Sequence, residues 1–586
     1  MTFGQLSNAA LLWIEFSNFI CDDLDHQLQQ IFPNNDIYSN DNDELFHQGS
    51  AALDYGLYLI DVKLRDQGHS LEEYNMPEFE HNWYDALRRS SAIQSSNALI
   101  NEQRSYNVDN EAAIYQSRYA IFNQDQKAAF DCIVQEIESN DTGNSNCFFL
   151  HGPAGTGKTF VYNTIGSYLR SQNKIVLCVA SSGIAALLLT GGRTSHSRLK
   201  IPLSIDESST CYIPRNSALA ELIRNTALII WDEVPLQHKH CFEAVDRTLK
   251  DICENDLLFG GIPVILGGDF AQIAPVIRYG DRTAIVNASI RQSYIWRQTE
   301  VVYLRINMRI SGSSANDMHF KNWLNSITYT PQHQNALITL PEYINRTSSI
   351  EGLISKVYPP SFLAAAIQQP QLLYKTAILT TRNDTMDELN NLILNAMPGH
   401  ATVLCSADVV EENNSEDNEV YQVTSEYLQT LNPSNLPPAR LSIKVGCIVM
   451  LIRNMNPKAG LCNGTRLVVK EIGQYVLKVL VLKDVDDGVE QIEFIPRITL
   501  LSQDEQYPFI LRRIQFPVKL SFAMTINKSQ GQSLQTVGID LRNPVFTHGQ
   551  LYVALSRSTK VENIHVLQSD STSNTVENIV YPELLL

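Results

Sequence analysis

The segment GPAGTGKT (152–159) constrains the fold of this chain more than any other. It follows the apolar run CFFLH (147–151) and precedes FVYNTIGSYLR (160–170), so strand, tight loop and helix are expected in that order. Gly152, Gly155 and Gly157 let the backbone come closer to a ligand than a Cβ would allow, with Pro153, Ala154 and Thr156 completing the loop. Successive N–H groups in such a loop form an anion nest, and the helix N-terminus behind it adds the positive end of a dipole. Lys158 is placed to reach β- and γ-phosphates, and Thr159 offers a hydroxyl to Mg²⁺. The expected occupants are ATP and Mg²⁺.

Two further strand ends suit the same chemistry. ALIIWDEV (227–234) ends an apolar run in Asp232 and Glu233, about 75 residues after the loop. One carboxylate at a strand's C-terminal edge can hold Mg²⁺, and the next can orient and deprotonate an attacking water. VILGGDFAQIAPV (264–276) opens into Gly267, Gly268 and Asp269, with Gln272 set to touch the γ-phosphate.

Short apolar runs alternate with helical segments from about 116 to 310, the pattern of a parallel sheet covered on both faces. A second such pattern starts at KTAILTTRND (375) and resumes at TVGIDL (536). Between its halves, 441–515 alternates apolar residues with turn signals and predicts a small β-barrel inserted in the second lobe. Residues 1–115 are polar and mainly helical, with Leu53, Leu57, Ile60, Val62 and Leu64 at roughly helical spacing, and carry no evident chemistry. The expected division is therefore 1–115, a first α/β lobe over 116–330, a second over 331–440 and 516–586, and the insertion 441–515.

A net charge of −18 argues against coating duplex DNA by bulk electrostatics but permits a narrow basic groove. Residues 408–426 hold seven acids and no base and are expected to form a solvated loop. None of the ten cysteines forms a C-x-x-C pair and several lie in apolar runs, as buried thiols of an intracellular protein would. No stretch is apolar for about 18 residues, and the N-terminus lacks a secretory pattern, so no membrane association is expected.

A nucleotide switch needs one lobe, whereas a motor needs a second that brings charge across the cleft. Transition-state charge on a γ-phosphoryl calls for arginine. Arg309 in LRINMRI and Arg557 in GQLYVALSRS stand in suitable contexts.

The blocks FNQDQKAAF (122–130), GPAGTGKT, ASSGIAALLL with GGRTSHS (180–197), WDEVPLQHKHCFEAVDRTLKDI (231–252), GGDFAQIAPV (267–276), NMR (307–309), LTTRNDTMDELN (379–390), FAMTINKSQGQSL (522–534) and HGQLYVALSR (548–557) run colinearly over about three-quarters of the chain. In this series the chain resembles the petite-integration-frequency (PIF) type of superfamily-one DNA helicases, and within it the branch of Helitron transposons. The resemblance implies two RecA-like lobes and a monomeric motor translocating 5′ to 3′ on single-stranded DNA to unwind duplexes and forks. It implies that Gln126 reads the adenine edge, that Gly531 lies near the phosphates, and that Arg309 and Arg557 close on the γ-phosphate. Thr194 and His196 would approach the strand from the first lobe, and Asn527, Lys528 and Ser529 from the second. Repair, recombination, telomere maintenance or transposon replication would be the process, with the nucleus the expected compartment and the mitochondrion the alternative.

The chain departs from the cellular pattern in carrying Val234-Pro235-Leu236 after the second carboxylate and Asn527-Lys528 where His-Lys is usual. The H-x-H of a rolling-circle nuclease is missing from residues 1–120, and His238 and His240 belong to the helicase series. Basic and flat residues that suit a single strand are Arg193, Arg198, Lys200, Arg512, Arg513, Phe516 and Phe522. The alternatives are a P-loop ATPase that remodels protein and a non-catalytic nucleic-acid-binding relic.

Overall fold

The computed structural model describes residues 9–21, 24, 28, 48–65, 70–83, 97–138, 146–308, 314–411, 423–433, 435–483, 490–502, 507, 509–568 and 574–586. The chain divides into two compact units, 1–102 and 103–586.

In the first unit, helices Ala9–Ile20 and Gln48–Arg65 enclose a small core of Trp13, Tyr55, Leu57, Leu64 and Trp83. Leu57 and Leu64 face that core, whereas Val62 lies off the helical repeat and is exposed. Asp54 is buried but satisfied, accepting from the Glu80 and His81 amides and from Trp83 Nε1 at 2.8 Å.

The second unit opens with helix Val108–Ala120, which starts before the expected boundary at 115. Asn107 caps it by accepting from the Asn110 amide, and Tyr115 and Tyr119 pack against Phe130 and Tyr168 of the α/β lobe behind. Six strands follow: β1 (Cys147–His151), β2 (Ile175–Ala180), β3 (Arg193–Thr194), β4 (Thr226–Asp232), β5 (Val264–Gly268) and β6 (Glu300–Tyr303). They form one parallel sheet in the order β3-β2-β4-β5-β1-β6. Its central strands are buried along their length, the burial that unbroken apolar runs predict. The order sets β1, β5 and β4 side by side, so their C-terminal ends share one edge of the sheet.

Next along the chain come β7 (Ala336–Thr339), β8 (Asn345–Thr347), β9 (Thr376–Thr380), β10 (Thr402–Cys405), β11 (Ala407–Glu411) and β12 (Arg440–Ile443). The strand-rich block supplies β13 (Ile448–Leu451), β14 (Arg466–Ile472), β15 (Val476–Val481), β16 (Ile492–Pro496), β17 (Ile498–Leu501), β18 (Ile510–Gln515) and β19 (Val518–Leu520). The chain ends through β20 (Ala523–Thr525), β21 (Thr536–Asp540), β22 (Ile564–Leu567) and β23 (Thr575–Asn578). A second parallel sheet, β20-β9-β21-β22-β8, anchors this half. Helix Ala315–Tyr329 packs Phe320, Leu324 and Ile327 into the same core as Ala377, Val537 and Ile539. The second core therefore begins before residue 331.

The block expected as a barrel pairs as an open five-stranded antiparallel sheet, β16-β15-β14-β13-β19, while β17 and β18 join β11 in a separate one. No pairing between β16 and β19 closes the larger sheet among the described residues. Val449, Val469, Leu480 and Phe516 share one continuous core with Leu353, Leu389 and Ile393 of the second lobe. The buried Arg466 guanidinium ties this sheet to the lobe by donating to the Tyr374, Thr376 and Ser521 carbonyls.

Asp408, expected in a solvated loop, lies on β11 directly opposite Arg513 of β18. Both side chains are wholly buried and 2.7 Å apart, and Arg513 also donates to the Leu428, Leu431 and Pro437 carbonyls. The acidic run 412–422 lies outside the described residues. Among the described residues no helix is long and apolar enough to cross a membrane. All ten cysteines are free thiols, seven of them buried.

Candidate nucleotide site and nucleic-acid face

The phosphate loop leaves β1 at His151 and turns back into helix Lys158–Ser171. Gly157 caps that helix in the left-handed region (φ 84°), and a Cβ there would stand 2.5 Å from Gln126 Nε2. Lys158 Nζ donates to the Gly152 carbonyl at 2.5 Å and so spans the mouth of the loop. The segment after β6 buttresses it from outside: the Met308 amide donates to Gly155 O at 2.7 Å, and Asn307 Nδ2 to Ala154 O at 3.0 Å.

Asp232 ends β4, and its Oδ1 accepts from the Glu233 amide at 2.9 Å. Glu233 itself holds φ 55° and ψ 38°, an uncommon conformation for a residue with a Cβ and one that clusters at functional sites. Burial, and then the neighbouring Glu233 charge, push the Asp232 carboxyl upward, while Lys158 opposes the shift. A cation bound at this edge would offset that cost. Thr159 and Asp232 both line the cavity, and a hydroxyl with a carboxylate is the hard-oxygen donor set that Mg²⁺ takes alongside phosphate and water.

From the end of β5, Gln272 donates its Nε2 to Asp269 at 3.1 Å. Its Oε1 is buried with no hydrogen-bond partner, and the residue lines the cavity, so the site offers an unused acceptor.

The cavity holds about 450 Å³, ordinary for a small-molecule site. One wall carries Lys158, Thr159, Asp232, Glu233 and Gln272, and the other carries Gly531, Gln532, Ser533 and Arg557. Arg557 is 1% exposed and held by its own neighbourhood. It donates to the carbonyls of Val553 (3.0 Å), Gln532 (3.2 Å) and Ser529 (3.5 Å) and to Ser556 Oγ (2.9 Å). Two positions separated by about 400 residues thus face one space.

The two sheets are stitched by contacts that sequence reading missed. Tyr552 accepts from the Ala154 amide at 3.3 Å and donates to Asp269 at 3.2 Å. Gly549 (φ 74°) passes so close to Ala271 and Gln272 that a Cβ would lie 2.6 Å from both carbonyl oxygens. His548 Nε2 donates to Phe270 O at 2.8 Å, and its Nδ1 accepts from the Tyr581 amide at 2.9 Å. Gln530 Nε2 donates to Glu233 Oε2 at 2.8 Å. The only signal for these was the polar and glycine residues scattered through HGQLYVALSR and NKSQGQSL.

Several expected contacts fall elsewhere. Gln126 is buried with its Nε2 on Thr156 O (3.1 Å) and its Oε1 accepting from the Asn123 amide (3.2 Å); it braces the loop and is absent from the cavity lining. Arg309 lies outside the described residues. Ser529 is fully buried and donates to Ile526 O at 2.7 Å, so its hydroxyl does not face a strand. Arg513 is spent on Asp408, Arg198 is buried, and Phe516 and Phe522 are core residues. Lys528, Lys200 and Arg512 remain exposed, and Thr194, His196, Arg193 and Asn527 half-buried. Burial holds the His196 imidazole below its usual pKa, and Asn527 Oδ1 accepts from Gln550 Nε2.

Two parallel α/β sheets facing one cleft, with a phosphate loop on one and an arginine on the other, define the class as RecA-like P-loop proteins. Within that class, the family model for PIF1-like helicases matches residues 121–334, and that for the DNA helicase Pif1 2B domain matches 426–472, beginning in the run before the five-stranded sheet. By family model and by relatives alike the chain is similar to PIF1-like helicases. The ATP-dependent DNA helicase Pif1 of Psychrobacter sp. is 28% identical over 473 residues, which span 72% of this chain and 66% of that protein. The ATP-dependent DNA helicase PIF1 of Danio rerio is 27% identical over 434 residues, 72% of this chain and 59% of its own. The chain thus spans roughly three-fifths to two-thirds of the length of these relatives. A solved structure of Bacteroides Pif1 bound to single-stranded DNA shares the fold, with a TM-score of 0.53 at 20% identity over 80% of this chain and 94% of that one.

Proposed function

We propose that this chain is an ATP-dependent DNA helicase that moves 5′ to 3′ on single-stranded DNA. The observation that carries the reading is that Lys158 and Arg557 face the same 450 Å³ cavity from opposite walls. A triphosphate held there would be gripped from both lobes, so its hydrolysis changes what holds them together. Family and relatives support the same activity.

The roles follow from position. The amides of Gly155 to Thr159 wrap the phosphates, and Lys158 leaves Gly152 O for the β- and γ-oxygens. Thr159 and Asp232 would hold Mg²⁺, which would neutralise phosphate charge when bound. Glu233 orients a water and takes its proton, with Gln272 Oε1 as a second acceptor. The water oxygen bonds to the γ-phosphorus as the bond to the β–γ bridging oxygen breaks, and the electron pair leaves with ADP. Arg557 stabilises the charge that develops there, and Gly531, in the left-handed region (φ 82°), turns the chain at the cavity lining. Gln126 serves as a brace for the loop, and Arg309 remains a candidate second cation.

A strand would lie along Thr194 and His196 of the first lobe and Asn527 and Lys528 of the second. The sheet β16-β15-β14-β13-β19 leans on it as a clamp. The DEVPL and NKSQG variants align the chain with the Helitron-type branch, and the nucleus with the processes named above is the setting proposed.

Strand displacement on duplexes with 5′ or 3′ single-stranded tails tests the reading. Unwinding that needs ATP and a 5′ tail is expected. ATP turnover indifferent to single-stranded DNA of any sequence, at any salt, would replace the helicase by a protein-remodelling ATPase.

A further inference from the structure

Glu233 is the residue proposed to receive the water's proton, yet one of its carboxylate oxygens is already engaged. Gln530 is 4% exposed and reaches across 297 residues of chain to donate Nε2 to Glu233 Oε2 at 2.8 Å. Its own Oε1 is buried with no hydrogen-bond partner among the described residues. The amide is thus held by one functional contact, and a carbonyl oxygen left without a donor makes that arrangement easy to leave.

The chain on either side of Gln530 leads to two different places. Immediately before it lies the short turn Ile526–Ser529, which presents Lys528 to solvent and carries Asn527, held at its side chain by Gln550. Immediately after it come Gly531, in the left-handed region (φ 82°), and Gln532, whose carbonyl accepts from Arg557. Arg557 also donates to Ser529 O, so the guanidinium grips the segment on both sides of Gln530. The chain from the Asn527–Lys528 surface to Gly531 and Gln532 at the cavity runs directly through this amide.

We propose that Gln530 is a brake on Glu233, released when a single strand seats on Asn527 and Lys528. With the brake on, the amide occupies the carboxylate edge where a water would place its proton. Drawing the turn toward the strand withdraws Nε2, frees Glu233 and couples strand binding to hydrolysis. This rests on the helicase reading and supplies the sensing step of that same site. Gln530 is a positioning residue, acting through Glu233.

The test is ATP turnover of the full chain carrying Gln530→Met, which keeps the volume but removes the donor, measured without DNA and with saturating oligodeoxythymidylate. Turnover without DNA should rise roughly tenfold, the scale of a hydrogen bond to a charged group, while the DNA-saturated rate stays within about threefold. The stimulation ratio would collapse from below, a result that mere loss of structure cannot produce. Gln530→Asn, one methylene short of the carboxylate, should act the same way, and thermal melting of both variants reports folding. Turnover that falls in both conditions would make the amide a helper of catalysis and overturn the brake, as would an unchanged DNA-free rate in either folded variant. A wild-type chain that DNA fails to stimulate sinks the helicase reading itself, whereas a stimulated wild type with indifferent variants sinks only the brake.

Discussion

Removing the Arg557 guanidinium separates two quantities that the structure links. The side chain is buried and already anchored to the carbonyls of Val553, Gln532 and Ser529 and to Ser556 Oγ, so it needs little ordering when a γ-phosphate arrives. A cation so pre-placed contributes to the transition state at full strength, and the loss in related systems is about 10³–10⁵ in rate. Arg557→Ala should therefore lower DNA-saturated turnover by at least about 10³, equivalent to roughly 4 kcal/mol of barrier. ATP affinity should fall by no more than about tenfold, because the amide nest and Lys158 on the other wall remain. Orphaned carbonyls on the 529–532 segment add a stability cost of about 1–3 kcal/mol, visible as a modest drop in melting temperature. Steady-state turnover, binding of a fluorescent ATP analogue and thermal unfolding of the same preparation measure the three effects. Near-normal turnover in a folded, ATP-binding variant would remove Arg557 from the reaction and break the argument for closure across the cleft.

Lys158→Ala should abolish ATP turnover while single-strand affinity, read by fluorescence anisotropy, stays within a few-fold. Normal hydrolysis in that variant would refute the phosphate-loop assignment. Arg513→Met leaves Asp408 charged and unpaired in a wholly buried position, and should cost about 3–5 kcal/mol in denaturant unfolding. The double variant Arg513→Met/Asp408→Asn should recover part of the loss, and no recovery would mean that the carbonyl contacts, not the ion pair, carry the effect. Burial pulls the His548 imidazole down to about 4, as suits a ring whose Nδ1 must accept from the Tyr581 amide. Between roughly pH 6.5 and 4 the unfolded chain then binds a proton that the folded one refuses, so stability present above pH 6.5 is lost on acidification, on the order of 3 kcal/mol in all. Melting curves at pH 7 and 5 should show a drop that His548→Gln largely removes, and an equal drop in both proteins would assign the acid sensitivity elsewhere.

How much of the site could be read in advance depended on how local its cause was. The loop at 152–159 is legible because its geometry is dictated by neighbouring residues: glycines at the left-handed positions, a strand before and a helix after. The carboxylates at 232 and 233 were readable for the same reason, as the polar end of an apolar run. The strand-contact candidates fared unevenly, because a basic or hydroxylated residue looks the same in sequence whether it meets solvent or another part of the chain. Arg513 found Asp408 105 residues away, Ser529 turned inward onto Ile526, and Phe522 joined the core.

Periodicity, glycine placement and the order of strand, loop and helix are short-range properties, and they alone determined that this chain carries parallel α/β units and a glycine-rich loop between β1 and the helix after it. Strand order is a long-range property. Only folding decided that β1, β5 and β4 lie side by side, that helix Ala315–Tyr329 joins the second core, and that Tyr552, Gln530 and Arg557 reach loops 283 to about 400 residues earlier. The physical reason is that burial and hydrogen-bond satisfaction are settled by whichever partners pack together in space. Those partners leave no trace in the residues beside them along the chain.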